Sequence, residues 1–287
     1  MFQLRFRDGL GRVAELKTKH GVVETPTLLP VVNPNQIVIP PKEMSTNFGT
    51  SIVITNAYII YRNRELKEEA LSGGIHSLLD FEGPIMTDSG TFQSHIYGRV
   101  SVSNEEIVHF QRDIGSDIGS VLDVFSEPHC PREEAVEAIE ETIRRAREAS
   151  ESKGEMALAA GIQGSTYPDL RERCASEISR IPIDVNAIGG VVPVMENYQF
   201  STLVDIILSA KKGLLPGKPV HLYGAGHPMI FALTTLLGCD MFDSSSYAKY
   251  AKDGRMMFLD GTRRVDELMH QICHCPVCSN LSLKELR

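Results

Sequence analysis

Three aspartates lie at the ends of apolar runs of strand length, where they could do chemistry. Asp88 lies in the stretch MTDSGTFQ (residues 86–93), Asp123 ends a run that begins at residue 118, and Asp243 lies in FDS (residues 242–244). Unpaired carboxylates are costly to bury, so a shared polar pocket explains them better than a core does. Such a pocket suits chemistry at an anomeric carbon, where one carboxylate attacks and another moves the proton of the leaving group.

The stretch that holds Asp88 has a second interpretation. Its carboxylate, hydroxyl, glycine, aromatic ring and amide suit a site for a planar polar ligand. The same residues also suit a strand that ends in a capped turn, with Asp88 and Ser89 hydrogen-bonded to the backbone. Polar or glycine residues stand at the ends of most other apolar runs as well, which favours the pocket.

A cysteine cluster near the end of the chain could hold a metal. Its members are Cys273, Cys275 and Cys278. Three thiols this close in sequence can occupy three positions around a tetrahedral ion, so they predict structural zinc. The fourth ligand stays open between His270, His274 and a residue beyond Arg287. Three reduced surface thiols without metal are the simpler alternative.

Composition sets limits on the class of protein. The 287 residues carry a net charge of −8 and are 42% hydrophobic, which fits one large globular domain or two small ones. The charge argues against a wholly basic nucleic-acid wrapper, although a local basic face is compatible with it. No run reaches the roughly 18 apolar residues of a membrane span, and residues 1–20 lack a signal-peptide pattern. We therefore expect a cytoplasmic protein without membrane contact.

The order of the elements predicts the fold. Eight apolar runs alternate with amphipathic stretches, which indicates a (β/α)8 TIM barrel of the α/β class, with a doubly wound sheet as the alternative. The runs cover residues 25–32, 51–56, 84–89, 118–125, 157–163, 185–190, 220–226 and 241–246. Helices are predicted over about 131–152, 167–179 and 200–212, with a Glu140–Arg144 pair across one turn. Residues 2–23 predict a short hairpin, a cap or a lid.

Together these motifs resemble the tRNA-guanine transglycosylase family, specifically its archaeal type (archaeosine tRNA-ribosyltransferase). TDSGTFQ at 87–93 is similar to the family's DSG-x-[FY]-Q signature, and GSDI at 115–118 to its second aspartate motif. GIQG at 161–164, IGGVVP at 188–193 and HLYGAGHP at 221–228 follow in the family's order. FDS at 242–244 with YAKYA at 247–251 resembles the archaeal members, and the closing Cys-x-Cys-x-x-Cys completes the match. Thr91 departs from the pattern, since many members have Gly or Ser there.

The resemblance implies a glycosyltransferase, a pentosyltransferase by class, that acts in tRNA processing. It would exchange guanine 15 in the D arm of archaeal tRNA for 7-cyano-7-deazaguanine (preQ0), in archaeosine biosynthesis, through a covalent Asp–ribose intermediate. Asp243 would be the nucleophile at C1′ and Asp88 the general acid/base. The base-binding residues that the resemblance implies are Ser89, Phe92, Asp123, Gln163, Gly190, Val191 and Val192.

Individual base contacts also follow from the resemblance. Asp123 would accept from the N–H edge of the base, and Gln163 and the Gly190 backbone would donate to O6. Phe92 would stack on the ring, while Val191 and Val192 would surround the nitrile. The implied partners are tRNA, guanine and preQ0, and a homodimer is expected because the family commonly dimerises.

The resemblance also predicts a domain organisation. Residues 1–262 would form the catalytic barrel with its N-terminal cap, and residues 263–287 the start of a zinc-binding subdomain that is cut short. Archaeal relatives place the zinc histidine and RNA-binding domains, ending in a PUA module, beyond this point, so a truncated or naturally split chain is expected.

Three other functions are alternatives to the transglycosylase. They are a non-catalytic tRNA-binding paralogue or subunit of a tRNA-modifying complex, an enzyme acting on the inserted base, and a hydrolase of small nucleosides or glycosides. Asp88 and Asp243 are both present, which favours the transglycosylase over the first two.

Overall fold

A computed structural model shows eight parallel strands closed into a barrel, and it describes residues 2–91, 102–271 and 273–286. The barrel strands are β4 (Thr27–Val32), β5 (Val53–Asn56), β6 (Ile85–Asp88), β7 (Ile118–Ser120), β8 (Ala157–Ile162), β9 (Val185–Ile188), β10 (Val220–Leu222) and β11 (Met241–Ser244). They follow one another in sequence order, and β11 pairs with β4 to close the barrel. The (β/α)8 prediction is confirmed, and the doubly wound alternative is wrong.

Helices connect the strands. In the described residues they are α1 (Pro41–Phe48), α2 (Ala57–Arg62), α3 (Arg64–Leu79), α4 (Asn104–Asp113), α5 (Arg132–Ser152), α6 (Pro168–Ser179), α7 (Val192–Glu196), α8 (Phe200–Gly213), α9 (Pro228–Leu236), α10 (Ser246–Lys252) and α11 (Leu283–Leu286). The three predicted helices are present as α5, α6 and α8. None of the helices in the described ranges has the length and apolar content that a bilayer crossing requires.

The acidic and basic side chains of α5 pair differently from the prediction. Arg144 bonds to Glu141 and Glu148 on its own helix. Glu140 instead reaches Arg173 on the neighbouring helix α6, at 3.2 Å. The predicted Glu140–Arg144 pair is therefore wrong, because spacing along one helix cannot reveal a competing cation on the next.

Strand β7 ends earlier than the apolar run that predicted it. The Val121 N–H still donates to Ala159 of β8, but beyond it the backbone takes side-chain partners from two helices. Leu122 N–H donates to Asn104, and Val124 N–H donates to Thr142. These bonds satisfy the buried backbone without a strand neighbour. Asp123 consequently stands on a short segment beyond β7 instead of at its last position.

An antiparallel sheet covers the amino ends of the barrel strands. It consists of β1 (Phe2–Asp8), β2 (Gly11–Thr18) and β3 (Gly21–Thr25), which is larger than the predicted hairpin. Leu16 and Val23 of this sheet pack in one cluster with Leu29, Ile118 and other side chains of the barrel interior. The sheet is thus a cap on the end of the barrel opposite the strand-end aspartates.

Two buried carboxylates fasten this cap. The Arg12 guanidinium bonds both oxygens of Asp240, at 2.8 and 2.6 Å. Asp117 accepts from the His20 and His76 rings, both at 3.0 Å, and from the backbone N–H groups of His20 and Ile85. Burial alone would raise the pKa of Asp117, but these hydrogen bonds outweigh it and bring the value to about 2.

A short antiparallel hairpin follows the barrel. Its strands are β12 (Arg255–Phe258) and β13 (Gly261–Arg264). It contacts α10 and α9, so it stands at the same end of the barrel as the connections that leave the carboxyl ends of the strands. The cysteine cluster lies beyond this hairpin in sequence.

Candidate active site

A cavity of about 1290 Å³ opens at the carboxyl ends of the barrel strands. Residues from most of these strands and the loops after them line it. Six of the predicted site residues lie in its wall: Asp88, Asp123, Gln163, Gly190, Val192 and Asp243. The fold thereby brings together side chains that are up to 155 positions apart in sequence, as expected for the carboxyl end of a (β/α)8 barrel.

Asp88 is the last residue of β6. Its carboxylate accepts from the Asn56 side chain at 2.6 Å and from the Gly90 N–H at 3.3 Å. Burial raises the pKa of Asp88 to about 7, and the negative charges of Asp243 and Asp123 add to this effect. A carboxyl group with a pKa near neutrality can both give and take a proton under ordinary conditions.

Asp123 is held in place by two side chains. Thr91 donates to Oδ1 at 2.6 Å, and the Gln163 amide donates to Oδ2 at 2.5 Å. Burial raises the pKa of Asp123, while these two hydrogen bonds oppose the rise. Each carboxylate oxygen has a second lone pair, so Asp123 can still accept two parallel bonds from a ligand. Thr91 thus helps to orient the carboxylate.

Two glycines allow the backbone to approach these side chains closely. A Cβ at Gly161 would stand 2.2 Å from Asp123 Oδ2, and one at Gly189 would stand 2.6 Å from Gln163 Nε2. Any other residue at either position would displace the carboxylate or the amide. Gly161 inside β8 and Gly189 directly after β9 therefore both serve the packing of the site.

Asp243 lies on β11 with a partly exposed carboxylate. Oδ1 accepts from His221 Nε2 and from Gly224 N–H, both at 2.9 Å. Because a carboxylate only accepts, His221 must carry its proton on Nε2. Oδ2 receives no hydrogen bond from the described part of the chain, so this oxygen is available for a ligand.

Two further predicted residues, Ser89 and Val191, do not line the cavity. Ser89 is buried, and its hydroxyl donates to the Val121 carbonyl at 2.9 Å, as the capped-turn interpretation expects. Val191 is fully buried in the core cluster between the barrel and its outer helices. Phe92 lies outside the described residues, as does Gln93.

Three residues of the site had no predicted role. Asn56 bonds Asp88, His221 bonds Asp243, and Tyr223 lines the cavity. Burial raises the pKa of the Tyr223 hydroxyl well above its usual value, and Asp123, Asp88 and Asp243 reinforce this, so the group stays protonated. His221 and Tyr223 stand in the HLYGAGHP motif, but only their position beside the carboxylates reveals what they contact.

Basic and aromatic side chains stand at the rim of the cavity. Lys249, Lys252 and Arg255 line it, and the Arg255 guanidinium lies 4.1 Å from the centre of the Tyr250 ring. The chain as a whole is acidic, so this is the local basic face that net charge could not predict. Cations at the mouth attract anionic ligands to the carboxylates inside.

The three cysteines come together as predicted. The sulfur atoms of Cys273, Cys275 and Cys278 all lie within 4.8 Å of one another, and Cys278 N–H donates to the Cys275 sulfur at 3.4 Å. Three converging thiols fit the ligand geometry of a tetrahedral metal ion. No histidine joins this group among the described residues, and both His270 and His274 are exposed.

Comparison with known proteins places this geometry in a family. The family model described as queuine tRNA-ribosyltransferase matches residues 8–287. Proteins named tRNA-guanine(15) transglycosylase are 51% identical in Thermococcus kodakarensis and 52% identical in Pyrococcus abyssi, over 286 residues in each case. A relative of the same name from Methanosarcina barkeri is 52% identical over 288 residues. All of this chain is covered, but it spans only 49%, 49% and 59% of these relatives. The chain belongs to the queuine tRNA-ribosyltransferase family.

Proposed function

We propose that this chain carries the catalytic barrel of a tRNA-guanine transglycosylase. It exchanges guanine 15 in the D arm of archaeal tRNA for preQ0, as a step of archaeosine biosynthesis. The observation that carries the proposal is the convergence of Asp88, Asp123 and Asp243 in one cavity, each in a different environment. The names of the relatives at about 50% identity support the position in the tRNA.

Asp123 recognises the base in this proposal. Its two oxygens face a guanine-type edge, where N1–H and the 2-amino group donate in parallel, as in other bidentate charge-assisted contacts. Thr91 and Gln163 fix the carboxylate plane for that contact. The Gly190 N–H and the Gln163 amide donate hydrogen bonds to the 6-oxo group, and Phe92 stacks on the ring. Val192, with Val191 behind it, shapes the space for the nitrile.

Asp243 supplies the nucleophile. With Oδ1 engaged by His221 and Gly224, Oδ2 attacks C1′ of the ribose, and the bond from C1′ to the guanine nitrogen breaks. The incoming base then attacks C1′, and the bond between C1′ and Asp243 breaks. Two displacements at one carbon retain its configuration, as in retaining glycosidases.

Asp88 moves the protons. Its pKa of about 7 lets the protonated carboxyl group give a proton to the departing guanine. The resulting carboxylate then accepts the proton that the incoming base loses when it attacks. Asp88 gives one proton and takes one proton over the two steps, and neither step needs a redox cofactor or a nucleoside triphosphate.

The substrate nucleotide must leave its stack to enter the cavity, so base flipping or local unfolding of the D arm is part of the proposal. Lys249, Lys252 and Arg255 at the rim are placed to bind the adjoining phosphates. A PUA-type RNA-binding domain, within a longer chain or on a separate one, and a homodimer complete the tRNA-binding surface.

A structural zinc ion completes the proposal. Residues 1–262 form the barrel with its cap, and residues 263–287 begin a zinc-binding subdomain. Cys273, Cys275 and Cys278 hold the ion with a fourth ligand from elsewhere, and the ion fixes this segment without a part in catalysis. Metal analysis should find about one zinc per chain, and Cys275→Ser should lower it. Zinc-replete protein that contains none would refute the site.

Trapping of the covalent intermediate tests the enzyme. The chain, alone and mixed with the C-terminal part of the Thermococcus kodakarensis relative, is incubated with archaeal tRNA and examined under denaturing conditions. We expect an adduct with the unaltered protein and none with Asp243→Asn, while the exposed control Asp113→Asn should keep it. Absence of an adduct both with the chain alone and with the mixture would refute the transglycosylase activity. Binding of tRNA without an adduct would indicate the non-catalytic subunit.

A further inference from the structure

A fully buried arginine stands behind the wall of the cavity. Arg171 of α6 is 0% exposed, and no carboxylate of the described residues lies within ion-pair distance of it. Burial lowers the pKa of Arg171 to about 10, so the guanidinium is still charged at neutral pH. A buried charge without an ion pair is costly, and an apolar side chain would fill the same space at less expense. The position therefore needs an explanation beyond packing.

The guanidinium bonds only to backbone carbonyls at the edge of the cavity. Nη1 donates to Ile162 O at 2.6 Å and to Gly189 O at 2.8 Å, and Nε donates to Ser165 O at 2.8 Å. Ile162 ends β8, and Gly189 directly follows β9. Arg171 thus joins the carboxyl ends of two neighbouring strands at the point where Gln163 and Gly190 enter the wall.

The bond to Gly189 fixes the peptide that contains the Gly190 N–H. In a trans peptide the C=O and N–H groups point in opposite directions, so a carbonyl directed back at Arg171 directs the N–H of Gly190 away from it, toward the cavity. That N–H has no acceptor among the described residues, although Gly190 is buried and lines the cavity. A buried N–H without a protein partner is uncommon and indicates an external acceptor.

Unpaired atoms surround the same peptide. Arg171 Nη2 and Gln163 Oε1 are both buried without a partner, and both stand within 3.3 Å of where a Cβ on Gly190 would lie. Gly190 has φ +71°, a conformation that glycine adopts without strain. Two buried side-chain atoms without a partner therefore lie beside one peptide, which is a sign of a ligand-binding position.

We propose that Arg171 is a positioning residue for base recognition, acting through the Gly189–Gly190 peptide. It holds that peptide in the orientation that presents the Gly190 N–H to the 6-oxo group of the base. A charged donor on the carbonyl also polarises the peptide and strengthens its N–H as a donor. This inference rests on the proposed function, because it needs a 6-oxopurine in the cavity.

Calorimetric titration with free bases tests the proposal without tRNA. Guanine is compared with 6-thioguanine, which keeps N1–H and the 2-amino group but replaces the 6-oxygen with sulfur, a weak acceptor. Arg171→Lys keeps the charge, but its single nitrogen cannot replace the separate Nε and Nη1 donors that bond the three carbonyls. Arg173→Lys on the same helix, whose side chain is exposed, is the matched control.

We expect Arg171→Lys to weaken guanine binding about tenfold, the effect of one well-placed hydrogen bond, and 6-thioguanine binding much less. Arg173→Lys should bind both bases as the unaltered chain does. Equal losses for the two bases would show general loosening and overturn the positioning role, as would an unchanged affinity for guanine. Failure of the unaltered chain to bind guanine would instead refute the proposed function. Arg171→Met, which removes the charge and all the donors, should weaken guanine binding at least as much. Thermal unfolding of each variant checks that it is folded at the temperature of the titration.

Discussion

The hydrogen bond from Asn56 to Asp88 gives a direct test of the acid/base assignment. Asn56→Ser removes the donor to the Asp88 carboxylate but keeps a residue that can cap α2, where the Asn56 side chain now accepts from the Ile59 N–H. The bond stabilises the ionised form of Asp88, so its loss should raise the pKa of this carboxyl group above about 7.

The size of the shift follows from the strength of the bond. A hydrogen bond to a charged group contributes about 1.5–3 kcal/mol, and one pKa unit corresponds to about 1.4 kcal/mol. Because Asp88 is partly open to the cavity, the lower end applies, and we expect a rise of about one unit. The rate of guanine release would then fall at a correspondingly higher pH.

Carboxyl ¹³C NMR measures this pKa directly. The Asp88 resonance is assigned by its disappearance in Asp88→Asn, and its titration is compared between the unaltered chain and Asn56→Ser. Asn63→Ser is the matched control, since Asn63 caps α3 in the same way and bonds Asn35 instead of a carboxylate. An unchanged or lowered pKa in Asn56→Ser would refute the electrostatic reasoning.

Three further predictions concern stability. Asp88→Asn should abolish base exchange but raise the thermal midpoint at pH 8. The folded state raises the pKa of Asp88 from 3.8 to about 7, so ionisation of this carboxyl group destabilises the fold as pH rises through that range. Asp117, whose folded pKa is about 2, stabilises the fold above about pH 4 by about 2 kcal/mol. Between pH 4 and pH 2 the free energy of unfolding should therefore fall more steeply in the unaltered chain than in Asp117→Asn. Arg12→Ala breaks a buried pair and should cost about 3 kcal/mol in denaturant unfolding, whereas Arg5→Ala, at an exposed pair, should leave stability unchanged.

The barrel was predictable because its signal is local. Each buried parallel strand is a short run of apolar residues on both faces, and eight such runs separated by helices fit one closed architecture. The hydrophobic pattern did not show which side chains from other elements determine where a strand ends or how a helix forms its ion pairs. The early end of β7 depends on Asn104 and Thr142, and the pairing of α5 depends on Arg173, all contributed by other helices.

The candidate site was predictable to the level of its carboxylates. Asp88 and Asp243 lie near the carboxyl ends of their strands and Asp123 lies just beyond its strand, so the convergence of strand ends in a barrel brings them together. Their supporting groups give no such signal. His221 is inside β10, Asn56 ends β5, and Arg171 is inside α6, where each could equally be a core or surface residue. Only the three-dimensional contacts distinguish them from their neighbours in sequence.

The close approach of Gly161 and Gly189 to Asp123 and Gln163 limits how the site can evolve. Because a methyl group at either glycine would collide with Asp123 or Gln163, the positions of these two side chains cannot be adjusted by small substitutions there. Val192 also lines the cavity, and a Cβ at Gly224 would stand 2.4 Å from its Cγ2, so this side chain is packed against a glycine in the same way. Under the proposed function, the side chains that would contact the purine edge and the 7-substituent are therefore each held against a glycine, which restricts single substitutions in this wall of the cavity.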